Sequence, residues 1–156
     1  MTLHTIAPVF DENSKILVLG SFPSVKSREE GFFYGHPQNR FWKVIANAFD
    51  TPIAQSIEEK KALLLSNGIA IWDVIHSCDI VGSSDSSIKN VVPNDISKIL
   101  KTANIEKLSL TAKRRIRFIK NILSLNLILK SPACRQQALP MRNGHLIGFV
   151  MCGKTN

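Results

Sequence analysis

Five consecutive residues of β-forming character, 15–19 (KILVL), are closed by Gly20, and Pro23 follows soon after. An unbroken apolar run of this length, ended by turn residues, reads as a buried strand. Beyond Gly20 the chain runs to Asn39 without apolar periodicity. It carries Ser21, Ser24, Ser27, Phe32, Phe33, Tyr34 and His36, with Gly31 and Gly35 as points of backbone freedom. In an open α/β sheet, a loop leaving the carboxyl end of the first strand is where ligands sit. A loop this long inside a small domain is usually functional rather than a plain connector.

The remaining chain supplies the other layers of such a fold. Residues 1–14 are a lead-in, with Pro8 and residues 11–13 reading as a turn. Phe41, Trp42, Val44, Ile45, Ala48 and Phe49 form a helical stripe over residues 37–49, which Pro52 ends. A second helix is expected at about residues 55–66, with Glu58 and Glu59 early and Gly68 after its end. Residues 69–74 (IAIWDV) read as a buried strand, and residues 77–87 as a polar turn region. A third helix is expected at about residues 95–102, capped by Asn94 or Asp95, and a third strand at residues 107–110. Strand, helices, strand, helix, strand argues a parallel sheet flanked by helices.

At 156 residues the chain is long enough for one domain with a single core. No apolar run approaches the ~18 residues of a membrane span. Residues 1–14 show no basic-then-apolar pattern, so secretion is not expected. The three cysteines have no CxxC spacing, so neither a disulfide framework nor a zinc site is expected, and the cytoplasm is the default location. The net charge of +8 would suggest nucleic acid, but its distribution is uneven. Residues 1–110 hold 11 Lys and Arg and all 12 Asp and Glu, whereas residues 111–156 hold the other 9 basic residues and no acid. Either the tail is a basic binding arm, or the sequence has been altered near residue 110.

GSFPSVKS and GFFYGHPQNRFWKVIANAF, taken together, resemble the uracil-DNA glycosylase superfamily, and within it the hypoxanthine-DNA (deoxyinosine) glycosylase branch. That branch has GSFP as its first motif, followed by an HPxNxFW element that carries the key asparagine. The chain is also similar to the mismatch-specific uracil/thymine glycosylases, which share HPxNRFWK but place a catalytic asparagine where this chain has Phe22. IAIWDVIHSCDIVGSSDSSIKNVVPNDI also looks like the deoxyinosine branch, so the resemblance covers about residues 8–110. It implies a three-layer α/β/α sandwich with a mostly parallel central sheet. It implies a monofunctional glycosylase of base-excision repair, a monomer acting on DNA that contains a deaminated base, with no metal, cofactor or membrane partner.

The site residues follow from that resemblance, each beside a plainer role. Asn39 becomes the catalytic candidate, able to orient a water or read a base edge; by position alone it is first a helix cap. Tyr34 aligns with the aromatic that stacks on the flipped base in the mismatch branch; ordinary loop packing explains it equally well. Backbone N–H groups around Ser21 and Phe22 are placed to donate to the base, or the turn satisfies itself. His36 is a candidate for polarising the base, although a His in such a turn more often bonds its own backbone. Pro23, Ser24, Lys26 and Ser27 suit a loop on phosphates, and Lys89 and Asn90 are weaker DNA contacts; all are by default merely solvated. Phe33 and Trp42 are expected in the core.

The superfamily also has a second motif near its C-terminus, similar in this branch to PSTSPAN, and the chain lacks it. Reading the third base of each codon with the first two of the next recovers it. Residues 110–120 can then encode NGKKAYKIYK, residues 133–145 MPSTSPANAQWS, and the end LDRLCYVWKN with a stop after Asn156. A frameshift near codon 110 is therefore expected to have scrambled residues 111–156, leaving residues 1–110 as the glycosylase core. The tail cluster Lys113, Arg114, Arg115 and Arg117 is then accidental, the tail is expected to pack poorly, and the chain is expected to show little or no activity.

Overall fold

The computed structural model describes residues 1–111 and, as backbone only, residues 148–151. Residues 115–129, the Lys113–Arg117 basic cluster and the second-motif region all lie outside the described residues.

Three buried strands form the frame, as the apolar runs predict: β2 (Ile16–Gly20), β3 (Ile69–Asp73) and β6 (Lys107–Leu110). β2 lies between the other two and pairs parallel with both. Its side chains alternate between two cores, as the two-residue period of a strand requires. Ile16 and Val18 face Phe32, Phe33, Trp42 and Leu64; Leu17 and Leu19 face Ile99, Leu108 and Leu110. The first core packs helices α2 (Phe41–Ala48) and α3 (Ile57–Ser66), and the second packs α4 (Ser97–Thr102). Trp42 is buried and donates its indole N–H to Phe33 O. Val44, part of the expected stripe, is instead exposed.

The expectation of one mostly parallel sheet needs correction. Strand β7 (Gly148–Met151) adds to β6 antiparallel, giving the order β3-β2-β6-β7. The tail showed no strand pattern, but pairing with an open edge uses backbone groups and asks little of side-chain order. A second sheet is wholly antiparallel: β1 (Thr2–Leu3), β4 (Ile75–Asp79) and β5 (Lys89–Pro93) in the order β1-β4-β5. Part of β4 falls in the stretch read as turns. The loop after Gly20 also contains an unexpected helix, α1 (Val25–Glu30), capped by Ser24 Oγ accepting from Ser27 N and closed by Gly31 at φ 68°. Asn94 does not cap α4. Its amide donates to Asp73 O and Ile75 O and so holds the β3–β4 corner, while Asp95 Oδ1 accepts from Ser97 N.

At the start of α3, Ser56 Oγ accepts from Glu59 N and the Glu59 carboxylate accepts from Ser56 N, a capping box. Backbone donors at Gln55 and Ser56 hold the Glu59 carboxyl below the usual glutamate range. A depressed pKa adds stability above the ordinary value and loses it as pH falls through the lowered one. Ser56→Ala is expected to lower stability by about 1 kcal/mol in urea unfolding at neutral pH. An unchanged midpoint would show that the cap is redundant.

Candidate active site

The carboxyl ends of β2, β3 and β6 open on one side of the sheet, at Gly20, Asp73 and Leu110. A cavity of about 230 Å³ lies there. Its walls come from the first-motif loop (Ser21–Ser24, Ser27), from Phe33, Tyr34 and Asn39, from Thr111, and from the β4–β5 connection (Ile80, Ser83, Asp85). Seven of the residues named from sequence thus meet around one space: Ser21, Phe22, Pro23, Ser24, Ser27, Tyr34 and Asn39.

Local bonds fix the loop. Ser27 is buried, accepts from Gly35 N and lies 3.0 Å from Ser24 Oγ, so these serines first serve the loop's own shape. Arg28 donates to Pro23 O at 2.7 Å and sits over the Phe22 ring. The β4–β5 connection is tied down by Ser21 Oγ donating to Asp85 and by Val25 N donating to Ser83 Oγ.

Tyr34 adopts φ 52°, a left-handed conformation that costs a non-glycine residue energy and persists where surroundings enforce it. Here both ends of the side chain are held. Its ring stacks on Phe41 with centroids 4.0 Å apart, and its hydroxyl lies 2.8 Å from Thr111 Oγ1. Burial, with the nearby Asp73 carboxylate, pushes the phenol well above its ordinary value. Arg40 occupies the N-cap position of α2, and Asn39, one residue before it, bonds the helix start: its Oδ1 accepts from Phe41 N at 2.9 Å. It is nonetheless exposed and lines the cavity. One carbonyl lone pair is engaged by the helix, and this bond orients the amide.

The other named residues sit apart from this cavity. His36 lines an adjoining groove that shares Tyr34 and Asn39, and its Nδ1 accepts from Gln38 N, the turn role expected of it. Lys26 is exposed and pairs with Glu29. Asn90, at φ 49°, donates to Asp79 on the neighbouring strand, and Lys89 is exposed beside it.

Sequence reasoning missed Asp73 and its partner His4. Asp73 ends β3, lines the cavity and is 5% exposed; His4 Nε2 is 2.9 Å from its Oδ2. Burial pushes the Asp73 carboxyl up, against the opposing effect of His4. The available signal was a lone acid closing an apolar strand, since buried charges are paired or functional. His4 lay in the lead-in and gave none. Among the described residues, no cluster of His, Cys, Asp and Glu is arranged to hold a metal. No helix there is long and apolar enough to cross a membrane.

Known proteins resemble this chain in sequence and in fold. Two curated relatives, both named hypoxanthine DNA glycosylase, come from Methanosarcina acetivorans and Methanosarcina barkeri. They are 40% and 38% identical over 90 and 92 residues. These alignments cover 57% and 58% of this chain and the same shares of the relatives, so the chain spans little more than half their length. A solution NMR structure of a candidate uracil DNA glycosylase from Methanosarcina acetivorans superposes with a TM-score of 0.66 at 29% identity. It covers 77% of this chain and 76% of its own. The family model of the uracil DNA glycosylase superfamily matches residues 7–137, most of the chain, and the chain belongs to that superfamily, close to proteins named hypoxanthine DNA glycosylase.

Proposed function

We propose that the glycosylase core hydrolyses the N-glycosidic bond of a deaminated base flipped out of DNA, hypoxanthine first and uracil second. The observation that carries this reading is the cavity at the strand ends, about 230 Å³, which joins Tyr34, Asn39 and the first-motif loop. An enzyme acting on an extruded nucleotide needs a pocket of this kind to receive the base. The β-sheet core and flanking helices are read as the three-layer sandwich of the superfamily.

In this reading Tyr34, neutral and clamped, offers an aromatic surface to the base. The Asn39 amide, oriented by Phe41 N, positions the attacking water or a base edge. Backbone N–H groups at Ser21 and Phe22 stabilise charge on the departing base. With Asn39 committed in part to α2, replacement must preserve the helix start to be informative. Asn39→Asp keeps the Phe41 N acceptor and removes the amide donor. Asn39→Asp and Asn39→Ala are each expected to lower single-turnover excision of hypoxanthine about 100-fold or more in a chain that carries both motifs. Unchanged rates in both would remove Asn39 from the chemistry.

A second reading concerns the chain as it stands. We infer that residues 111–156 come from a shifted reading frame and that this product lacks the second motif. The supports are the complete absence of acids after residue 110 and the recovery of a full motif and a stop in one alternative frame. Alignments of 90 and 92 residues also fit a chain that parts from its relatives well before its end. The family model extends further, to residue 137, so the decision rests on experiment.

A further inference from the structure

Hydrolysis needs a group that takes a proton, and no residue given a role so far does so. Water that attacks a sugar carbon must give one up. The Asn39 amide positions that water in the reading above, but an amide neither gains nor loses a proton at neutral pH. Three titratable side chains line the cavity: Tyr34, Asp73 and Asp85. Tyr34 is a phenol that burial keeps protonated, with its hydroxyl bonded to Thr111. Asp73 is buried, with Oδ2 held by His4 and Oδ1 packed over Gly20. That leaves Asp85.

Asp85 stands where such a group is wanted. It is exposed, as Asn39 is, whereas Phe22, Phe33 and Asp73 form the buried part of the wall. A nucleotide that enters base first sets its base against the buried residues. Its sugar, tied to the DNA backbone, stays at the exposed rim, the level of Asn39 and Asp85. Ser21 Oγ donates to Asp85 Oδ1 at 3.0 Å and turns the carboxylate toward the first-motif loop. The other oxygen receives no bond from the described residues. The turn that carries Asp85 is held by Val25 N donating to Ser83 Oγ and Ser87 N donating to Ser84 O. Among the described residues no lysine, arginine or histidine lines the cavity, so its side-chain charges favour a cation. A deaminated base is not one; the sugar becomes one as its bond to the base breaks.

We propose that Asp85 is a further catalytic residue of this cavity. Its open oxygen faces the deoxyribose, stabilises the cation that forms at C1′ and accepts a proton from the attacking water. The C1′–N bond breaks with its electron pair on the base. The water oxygen bonds C1′ and passes one proton to Asp85, and the base takes one from solvent. This rests on the base-excision reading above and deepens it. A carboxylate that only tied the β4–β5 connection to the first-motif loop would also accept from Ser21. Replacing such a tie would weaken all ligands alike.

The test uses the purified 156-residue chain and single-stranded oligonucleotides, so no duplex has to be opened. One strand carries a pyrrolidine in place of a deoxyribose, protonated at neutral pH where the sugar cation forms. A second carries the neutral tetrahydrofuran, and a third is unmodified. Fluorescence anisotropy at one salt concentration gives each affinity. The wild-type chain should bind the pyrrolidine strand at least about fivefold more tightly than the tetrahydrofuran strand. The basic tail opposes this preference, because the pyrrolidine strand carries less net negative charge. Asp85→Asn keeps an acceptor for Ser21 and should abolish the preference, whereas Asp85→Glu should retain part of it. In a chain that carries both motifs, Asp85→Asn should also lower single-turnover excision of hypoxanthine about 100-fold. Unchanged excision there overturns the proton transfer. Equal affinity for the two abasic strands in the wild-type chain overturns the proposal without any variant. So does an unaltered preference in a folded Asp85→Asn chain. In both cases tighter binding of the abasic strands than of the unmodified one leaves the base-excision reading standing. If the three strands bind alike, that reading and this proposal fall together.

Discussion

Gly20→Ala is expected to destabilise the chain by about 2–4 kcal/mol, through a collision between a methyl group and a buried carboxylate. A Cβ at Gly20 would overlap Asp73 Oδ1, with Asp73 Cγ at 3.3 Å and Tyr34 Oη at 3.6 Å. Asp73 has a short side chain, is 5% exposed and is bonded to His4, so it cannot swing aside without breaking that bond. Breaking it leaves a carboxylate buried and unpaired, which is the dominant cost. Gly31→Ala is a useful contrast. That glycine sits at φ 68° with nothing near its missing Cβ, so its penalty is conformational alone, about 1 kcal/mol. A double-mutant cycle with Asp73→Ala should recover much of the Gly20→Ala loss, because the colliding group is gone. Urea unfolding of the four chains measures this. Additive losses, or a Gly20→Ala penalty below that of Gly31→Ala, would show that the two residues do not meet as described.

The same glycine shows how far the sequence could be read. Gly20 was taken as the turn ending the first strand. It is instead the strand's last residue, paired in register with Asp73, and bare because a side chain passes over it. Close approach leaves no mark in a single sequence, whereas a continuous apolar run does. For that reason β2, β3 and β6 were legible almost to the residue. The second sheet was not. β5 exposes most of its residues, β4 pairs with it through register shifts, and neither shows clean alternation. Helix α1 buries only Ser27, so it has no apolar stripe, and its two end signals, Ser24 and Gly31, were absorbed into a loop. Seven of the residues named from sequence share the cavity because two motifs are contiguous in sequence. Asp73, Ser83 and Asp85, and Thr111 reach the cavity from three other places in the chain, and only the fold brings them there.

Restoring the alternative frame after codon 110 is expected to raise hypoxanthine excision from duplex DNA by about 100-fold or more over the 156-residue chain. The gain has two sources. A flipped base must be held while its neighbours are kept apart, and in the proposed reading the first-motif loop would supply one side of that grip. The restored PSTSPAN segment would supply the other side, both on phosphates and in the vacated stack. The change also begins at the cavity itself. Thr111, bonded to the Tyr34 hydroxyl, is the first residue of the tail, and the alternative frame can encode an asparagine at this junction. Charge alone does not substitute for this. The 9 basic residues of the present tail should give the chain DNA binding that is indifferent to the lesion and falls steeply with salt. Single-turnover assays on matched duplexes with and without deoxyinosine, at two salt concentrations, separate grip from attraction. Ready excision by the 156-residue chain, or a restored chain that is no faster, would reject the shifted-frame account and make residues 111–156 a working part of the enzyme.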